Sequence, residues 1–412
     1  MDSFKDTSRH IAEALRDVFE PTPLQRNAHL SEAYGADIYL KREDLTPVRS
    51  YKIRGAYNAM KNAIEAAKSP PHFVCASAGN HAQGVAFMCK HFGVKGRIFM
   101  PVTTPSQKIL KTKTFGGDLI EIELIGDYFD ETLHAAQSYC AEKKAVFLPP
   151  FDAPDVIAGQ STVAAEIEQQ LGAAPELLVL PVGGGGLAAG VTSYFQDACR
   201  YCFVEPAGGA CLAAAQSAGK PVSLEAVDTF VDGAAVARIG AAPFERLKSY
   251  KLETHLQISE DRLCTTLVEM LNIEGVVLEP AGALAVDALK DLKDAIRGKT
   301  VVCVTSGGNF DFERLPEVKE RAQRYAGLKK YFILRLPQRP GALKDFLGFL
   351  GPHDDITRFE YLKKSARNFG TVLIGIETDD AANFAKLHDK LAEAGFQARD
   401  ITNDETLASF LV

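Results

Sequence analysis

From about residue 20 to residue 310, short apolar runs rich in β-branched residues alternate with stretches whose apolar positions recur every three or four residues. HFVCAS (72–77), GRIFMP (96–101), DLIEIEL (118–124), ELLVLPV (176–182), CRYCFVEP (199–206) and TVVCVTSG (300–307) read as buried strands. NHAQGVAFMCKHFG (80–93), PSQKILKTKTFG (105–116) and FDETLHAAQSYCAEKK (129–144) read as amphipathic helices. This alternation predicts an α/β protein with largely parallel sheet. Its ligands are expected in the loops beyond the strand C-termini.

The pattern changes after residue 310. DFERLPEVKERAQRYAGLKK is strongly charged and reads as a connecting helix over 311–329. A new succession follows: strand YFILRLP (331–337), helix PGALKDFLGFLG (340–351), paired strands ITRFEYLKK (356–364) and NFGTVLIGIET (368–378), helix AANFAKLHDKLAEAGF (381–396), and short strand ARDITN (398–403). The order βαββαβ predicts a ferredoxin-like module. The expected division is therefore 1–310, with two α/β subdomains, the connector 311–329, and 330–412.

Composition narrows the function. A chain of 412 residues is too long for one ordinary core. A net charge of −7 gives no electrostatic reason to expect nucleic acid, so a small molecule is the expected partner. The N-terminal stretch is charged and lacks the apolar centre of a signal peptide. No run approaches the roughly 18 apolar residues of a membrane span. Of eight cysteines, Cys75 and Cys303 lie in apolar runs, and Cys199 and Cys202 have CxxC spacing with no second pair at zinc spacing. Reduced thiols, no metal and a cytoplasmic location are the expectations.

Four loops carry candidate chemistry. Lys52 stands at a helix start after a Pro-containing loop and reads either as a solvated basic residue or as a lysine whose apolar site would lower its pKa and favour an imine; Tyr51 precedes it and can pack beside a ring. In CASAGNHAQGVA (75–86) a strand ends in small residues before a helix, which aims backbone N–H groups at one spot suited to a carboxylate. Asn80 reads equally as a plain N-cap there, and His81 as a surface histidine. In LLVLPVGGGGLAAG (177–190) a strand, four glycines and a helix make a phosphate cradle, without the lysine of a nucleotide-triphosphate loop. In VVCVTSGGN (301–309) a strand delivers Thr305 and Ser306 to a glycine loop, where a hydroxyl can bond a heterocycle nitrogen or simply close a turn. Asp232, in a loop with Gly233 before an expected small-residue helix, and Glu279, before Pro280, read as helix-cap carboxylates.

PTPL (21–24), YLKREDL (39–45), SYKIRGA (50–56), SAGNHAQG (77–84), GGGGL (183–187), DGAAV (232–236), EPAGA (279–283) and SGGN (306–309) follow one another in this order. Together they resemble the fold-type II pyridoxal 5′-phosphate enzymes, and specifically the threonine dehydratases. The resemblance implies Lys52 as the Schiff-base lysine and Tyr51 beside the ring, where the family often has Phe. It implies Asn80 on the cofactor's 3′ oxygen, Gly183, Gly184, Gly185, Gly186 and Leu187 on its phosphate, and Ser306 at the pyridine nitrogen. Ser77, Ala78, Gly79, Asn80 and His81 would take the substrate carboxylate, with Gly233 and Glu279 also on the substrate side. L-Threonine, with L-serine as a second substrate, would be dehydrated and deaminated to a 2-oxo acid and ammonia, for L-threonine 2-oxobutanoate at the first step of isoleucine biosynthesis. FILRLPQRPGALKDFL (332–347) resembles the single ACT-like regulatory domain of the biosynthetic members, which implies feedback by isoleucine, opposition by valine and a homotetramer. A catabolic serine/threonine deaminase or serine racemase-like enzyme is the alternative within catalysis, and a non-catalytic amino-acid sensor the alternative outside it.

Overall fold

The computed structural model describes residues 3–250, 254–362, 369–404 and 406–407. The chain divides into two compact units, Met1–Asp311 and Phe312–Val412. Among the described residues no helix is long and apolar enough to cross a membrane.

The first unit holds β1 (Leu24–Arg26), β2 (Asp37–Arg42), β3 (Phe73–Ala76), β4 (Gly96–Met100), β5 (Ile120–Leu124), β6 (Val146–Phe147), β7 (Leu177–Pro181), β8 (Arg200–Pro206), β9 (His255–Ile258) and β10 (Thr300–Thr305). They form two sheets. The larger runs β1-β2-β10-β7-β8-β9, parallel except for β1 against β2. The smaller runs β5-β4-β3-β6 and is parallel throughout. In sequence the smaller sheet lies wholly between β2 and β7, so it is an insertion into the larger one. Each sheet packs its own apolar cluster, around Leu178, Leu180, Phe203 and Val304 in one and Phe73, Cys75, Met88 and Ile98 in the other.

Helix Lys52–Ala66 crosses helix Pro154–Gln160 at backbone contact. A Cβ on Gly159 would lie 2.4 Å from the Arg54 carbonyl oxygen, so only glycine permits the crossing. Below that crossing the Arg54 guanidinium meets Glu43 Oε2 at 2.7 Å and Glu166 Oε2 at 2.8 Å, and Lys41 Nζ meets Glu166 Oε2 at 2.6 Å, with all four side chains fully buried. Burial opposes ionisation of Glu166, but Arg54 and Lys41 outweigh it and hold the carboxyl far below the usual range.

Two sequence expectations change, and β2 is a strand that the sequence did not single out. It forms although YLKRED carries charges, because Lys41 and Arg42 find buried partners in Glu166 and Asp44. β5 is not buried: it is a sheet edge whose Glu121 and Glu123 reach Arg97 on β4. No helix follows Asp232; the next one is Ala241–Leu247.

The second unit has helix Leu315–Tyr325, then β11 (Lys329–Pro337), helix Ala342–Leu347, β12 (Asp354–Leu362), β13 (Phe369–Thr378), helix Ala382–Glu393 and β14 (Gln397–Asp400). Its antiparallel sheet, ordered β12-β13-β11-β14, has the ferredoxin-like arrangement. Residues 363, 364 and 368 of the expected strand pair lie outside the described residues. Alternate residues of β11 and β13, with Phe346, Phe384 and Leu387, form its core.

Candidate active site

Lys52 opens its helix without a capping side chain, and other contacts fix it in place. The Tyr51 amide donates to the Ser306 carbonyl at 3.2 Å, and the Gly308 amide to the Arg49 carbonyl at 2.9 Å. These bonds tie the loop before Lys52 to the loop after β10. The Lys52 ammonium donates to the Pro150 carbonyl at 2.9 Å and sits 5.3 Å from the Tyr51 ring centroid and 5.8 Å from that of Phe151. Burial pulls its pKa down to about 8, against the opposing charge of Glu279.

The loop after β3 faces open space: a Cβ on Gly79 would meet nothing within 4 Å. Ser77 Oγ accepts from the Gly79 amide at 3.2 Å and shapes the turn. Ala78 lies between them in that turn. Asn80 is not an N-cap. It is the first residue of helix Asn80–Phe92, and its Nδ2 donates to Glu279 Oε1 at 2.6 Å. His81 is not on the surface. Its Nε2 bonds the Leu148 carbonyl at 2.8 Å, and burial, together with the charge of Lys52, depresses its pKa to about 3.

Glu279 stands at the N-cap position of helix Pro280–Asp287 but its side chain makes no cap bond; it turns to Asn80 instead. Burial first, then Asp232, raises its pKa to about 7, against Asn80, Lys108 and Lys111. Asp232 likewise caps no helix and pairs with Lys108. Gly233 closes this corner, since a Cβ there would lie 2.9 Å from Ala281 Cβ and 3.4 Å from Glu279 Oε1.

The glycine run joins β7 to helix Gly186–Phe195, with Gly185 at φ 88°. That φ is open to glycine at no steric cost. Among the described residues the amides of Gly184, Gly185 and Gly186 donate to no protein acceptor. A Cβ on Gly184 would lie 2.1 Å from a Phe151 ring carbon. Orphan donors at a helix start, with no room for side chains, fit a phosphate. The Leu187 side chain is buried in the core, so only its backbone is free to contribute. The Ser306 hydroxyl, buried, donates to the Ala281 carbonyl at 3.2 Å. A lysine lowered to about 8, an amide donor, a hydroxyl and an anion cradle together fit pyridoxal phosphate.

The structure also adds residues that the sequence did not single out. Pro150 and Phe151 come from the loop after β6, whose FLPPF string carries no polar signal. Asn309 Nδ2 donates to Asn80 Oδ1 at 2.6 Å, and Lys111 donates to Asn309 Oδ1. Cys199 and Cys202 are free thiols pushed up by burial to about 11 and about 12. Among the described residues no group of three or more His, Cys, Asp or Glu side chains converges.

Residues 15–307 match the family model of pyridoxal-phosphate dependent enzymes, and 320–411 match the C-terminal regulatory domain of threonine dehydratase. The biosynthetic L-threonine dehydratase IlvA of Bacillus subtilis is 47% identical over 411 residues, covering 98% of this chain and 97% of the relative. That of Lactococcus lactis is 44% identical over 407 residues, covering 97% of each. Among solved structures, the processed form of threonine deaminase isoform 2 from Solanum lycopersicum superposes with a TM-score of 0.71 at 34% identity, covering 77% of this chain and 93% of that one. The chain therefore belongs to the pyridoxal-phosphate dependent enzymes, among the biosynthetic L-threonine dehydratases.

Proposed function

We propose that this chain dehydrates and deaminates L-threonine to 2-oxobutanoate and ammonia, with Lys52 as cofactor-holding lysine and base. The carrying observation is a lysine lowered to about 8 that feels the charge of Glu279, itself bonded by Asn80, and shares the Phe151 ring with a glycine run whose amides have no protein acceptor among the described residues. The backbone amides of Gly183, Gly184, Gly185, Gly186 and Leu187 would hold the phosphate, Asn80 Nδ2 the phenolic oxygen and Ser306 Oγ the ring nitrogen, with Tyr51 beside the ring. When bound, pyridoxal phosphate withdraws electrons from the substrate α-carbon and makes its proton acidic. The Ser77 hydroxyl and the amides of Asn80 and His81, at the positive end of their helix, would fix the substrate carboxylate; Ala78 and Gly79 leave that space open. Lys52 Nζ takes the α-proton, a task suited to a pKa near the working pH. The β-hydroxyl leaves as water, taking up the proton that Lys52 has removed, and the released enamine is hydrolysed by a second water to the 2-oxo acid and ammonia. Gly233 and Glu279 would close the substrate side.

In the second unit a cavity of about 390 Å³ is lined by Leu336, Arg339, Gly341, Leu347, Phe359 and Tyr361, among others. An Arg guanidinium beside apolar walls suits a branched amino acid, and we assign isoleucine to it, with valine competing. A homotetramer and a cytoplasmic location complete the reading.

Initial rates of 2-oxo acid release from L-threonine and L-serine, with and without isoleucine, test it. Lys52→Ala is expected to abolish turnover. Arg339→Ala is expected to keep the basal rate and lose the isoleucine response. A cofactor-loaded wild type that yields no 2-oxo acid would favour an amino-acid sensor. Activity indifferent to isoleucine would favour a catabolic deaminase.

A further inference from the structure

Helix Ser106–Gly116 carries two lysines one turn apart that both reach the site. Lys108 pairs with Asp232. Lys111 donates to Asn309 Oδ1, Asn309 Nδ2 donates to Asn80 Oδ1 at 2.6 Å, and Asn80 Nδ2 donates to Glu279 Oε1 at 2.6 Å. The result is a continuous chain of hydrogen bonds from an ammonium to a carboxylate through two amides. Both ends agree on its direction, because an ammonium only donates and a carboxylate only accepts. The second N–H of Asn309 goes to the Val48 carbonyl at 2.9 Å, which demands the same amide orientation. Orientation is therefore doubly secured. What Lys111 adds that Val48 does not is charge. A donor in such a chain is strengthened when its own acceptor end is pulled upon.

We propose that Lys111 is a positioning residue for the reaction: acting through Asn309, it makes Asn80 a stronger donor to the cofactor's phenolic oxygen and favours the carboxylate form of Glu279. This rests on the assignment of Asn80 to the cofactor. The charged and titratable groups around Glu279 are Asp232, Lys108, Lys111, Lys52 and Tyr51. Those acting on Lys111 are Arg49 and Glu279; burial first, then Arg49, lowers its pKa. Lys111 is thus a cation held at some cost beside another cation, and its partner amide leads straight to the site.

The test compares Lys111→Met, Lys111→Gln and Lys111→Arg in the full-length holoenzyme, with Asn80→Ala in parallel. In Met and Gln variants the acidic limb of kcat/KM is expected to rise by about half a pH unit or more, as loss of one nearby positive charge implies. Reconstitution of the apo-protein with pyridoxal phosphate, followed by absorbance, is expected to show several-fold weaker binding for Met, a smaller loss for Gln, which keeps a donor, and near wild-type behaviour for Arg. Unshifted pH limbs in both neutral variants would overturn the proposal. So would a uniform fall in kcat that Arg fails to rescue, which marks a merely structural lysine. If Asn80→Ala binds the cofactor as wild type does, the assignment of Asn80 fails instead, and the two failures are told apart.

Discussion

Gly184 has no space for a methyl group, because the Phe151 ring already occupies it. Gly184→Ala must displace that ring, whose centroid lies 5.8 Å from Lys52 Nζ. Overpacking of this kind costs about 1–3 kcal/mol, so cofactor affinity is expected to fall roughly tenfold or more. Reconstitution titrations check this, and Phe151→Ala in the same chain should restore part of the loss. His81 gives a pH prediction. Its folded pKa, about 3, lies below the ordinary 6.5, so the neutral ring contributes stability that is complete above pH 6.5 and lost as pH falls toward 3. Denaturant titrations should show wild type losing up to about 1.4 kcal/mol per pH unit below 6.5 relative to His81→Phe. A wild type-to-variant difference constant between pH 7 and pH 5 would contradict it. At this scale Lys52 and the glycine run are legible because a local string carries their chemistry. The Lys111–Asn309–Asn80–Glu279 chain is not, since Asn80 and Glu279 stand 199 residues apart and each reads locally as a helix cap.

Helix Lys52–Ala66 owes its placement to the buried charges beneath it as much as to apolar packing. Removing one member of such a cluster strands its partners without solvent, which costs about 3–5 kcal/mol. Arg54→Met is therefore expected to lower stability by that amount in urea titrations, and adding Glu166→Gln should recover part of it. Elements made of short runs without a charged residue, such as β3, β7 and β10, could be read from the sequence within a residue or two. β2 could not, because the same buried cluster places Lys41 in its middle and breaks the apolar pattern that marks a strand. β5 misled in the opposite sense: its alternation of isoleucine and glutamate is that of a half-buried edge. The helix expected after Asp232 fails because small residues permit a helix without requiring one, and Asp232 is drawn to Lys108.

The two units have separate cores, so calorimetry is expected to resolve two unfolding transitions. Isoleucine should raise only the transition of the unit that contains Arg339, and Arg339→Ala should remove that rise. The change of pattern after residue 310 made this division legible, because the charged connector and the new strand order are both local. The nesting of one sheet inside the other was not, since it depends on which strands pair. That nesting governs how the chain can assemble on the ribosome. β2 has no parallel neighbour until β10 arrives, and Thr305 bonds the Lys41 carbonyl across 264 residues. At about 5–20 residues per second the wait is roughly 13–50 s. The smaller sheet can close within that interval, while the larger one must leave one edge of β2 unpaired. The nascent chain therefore presents a charged strand, not an apolar one, through its longest exposure. The lysine that obscured β2 in the sequence is expected to guard its open edge against mispairing during synthesis.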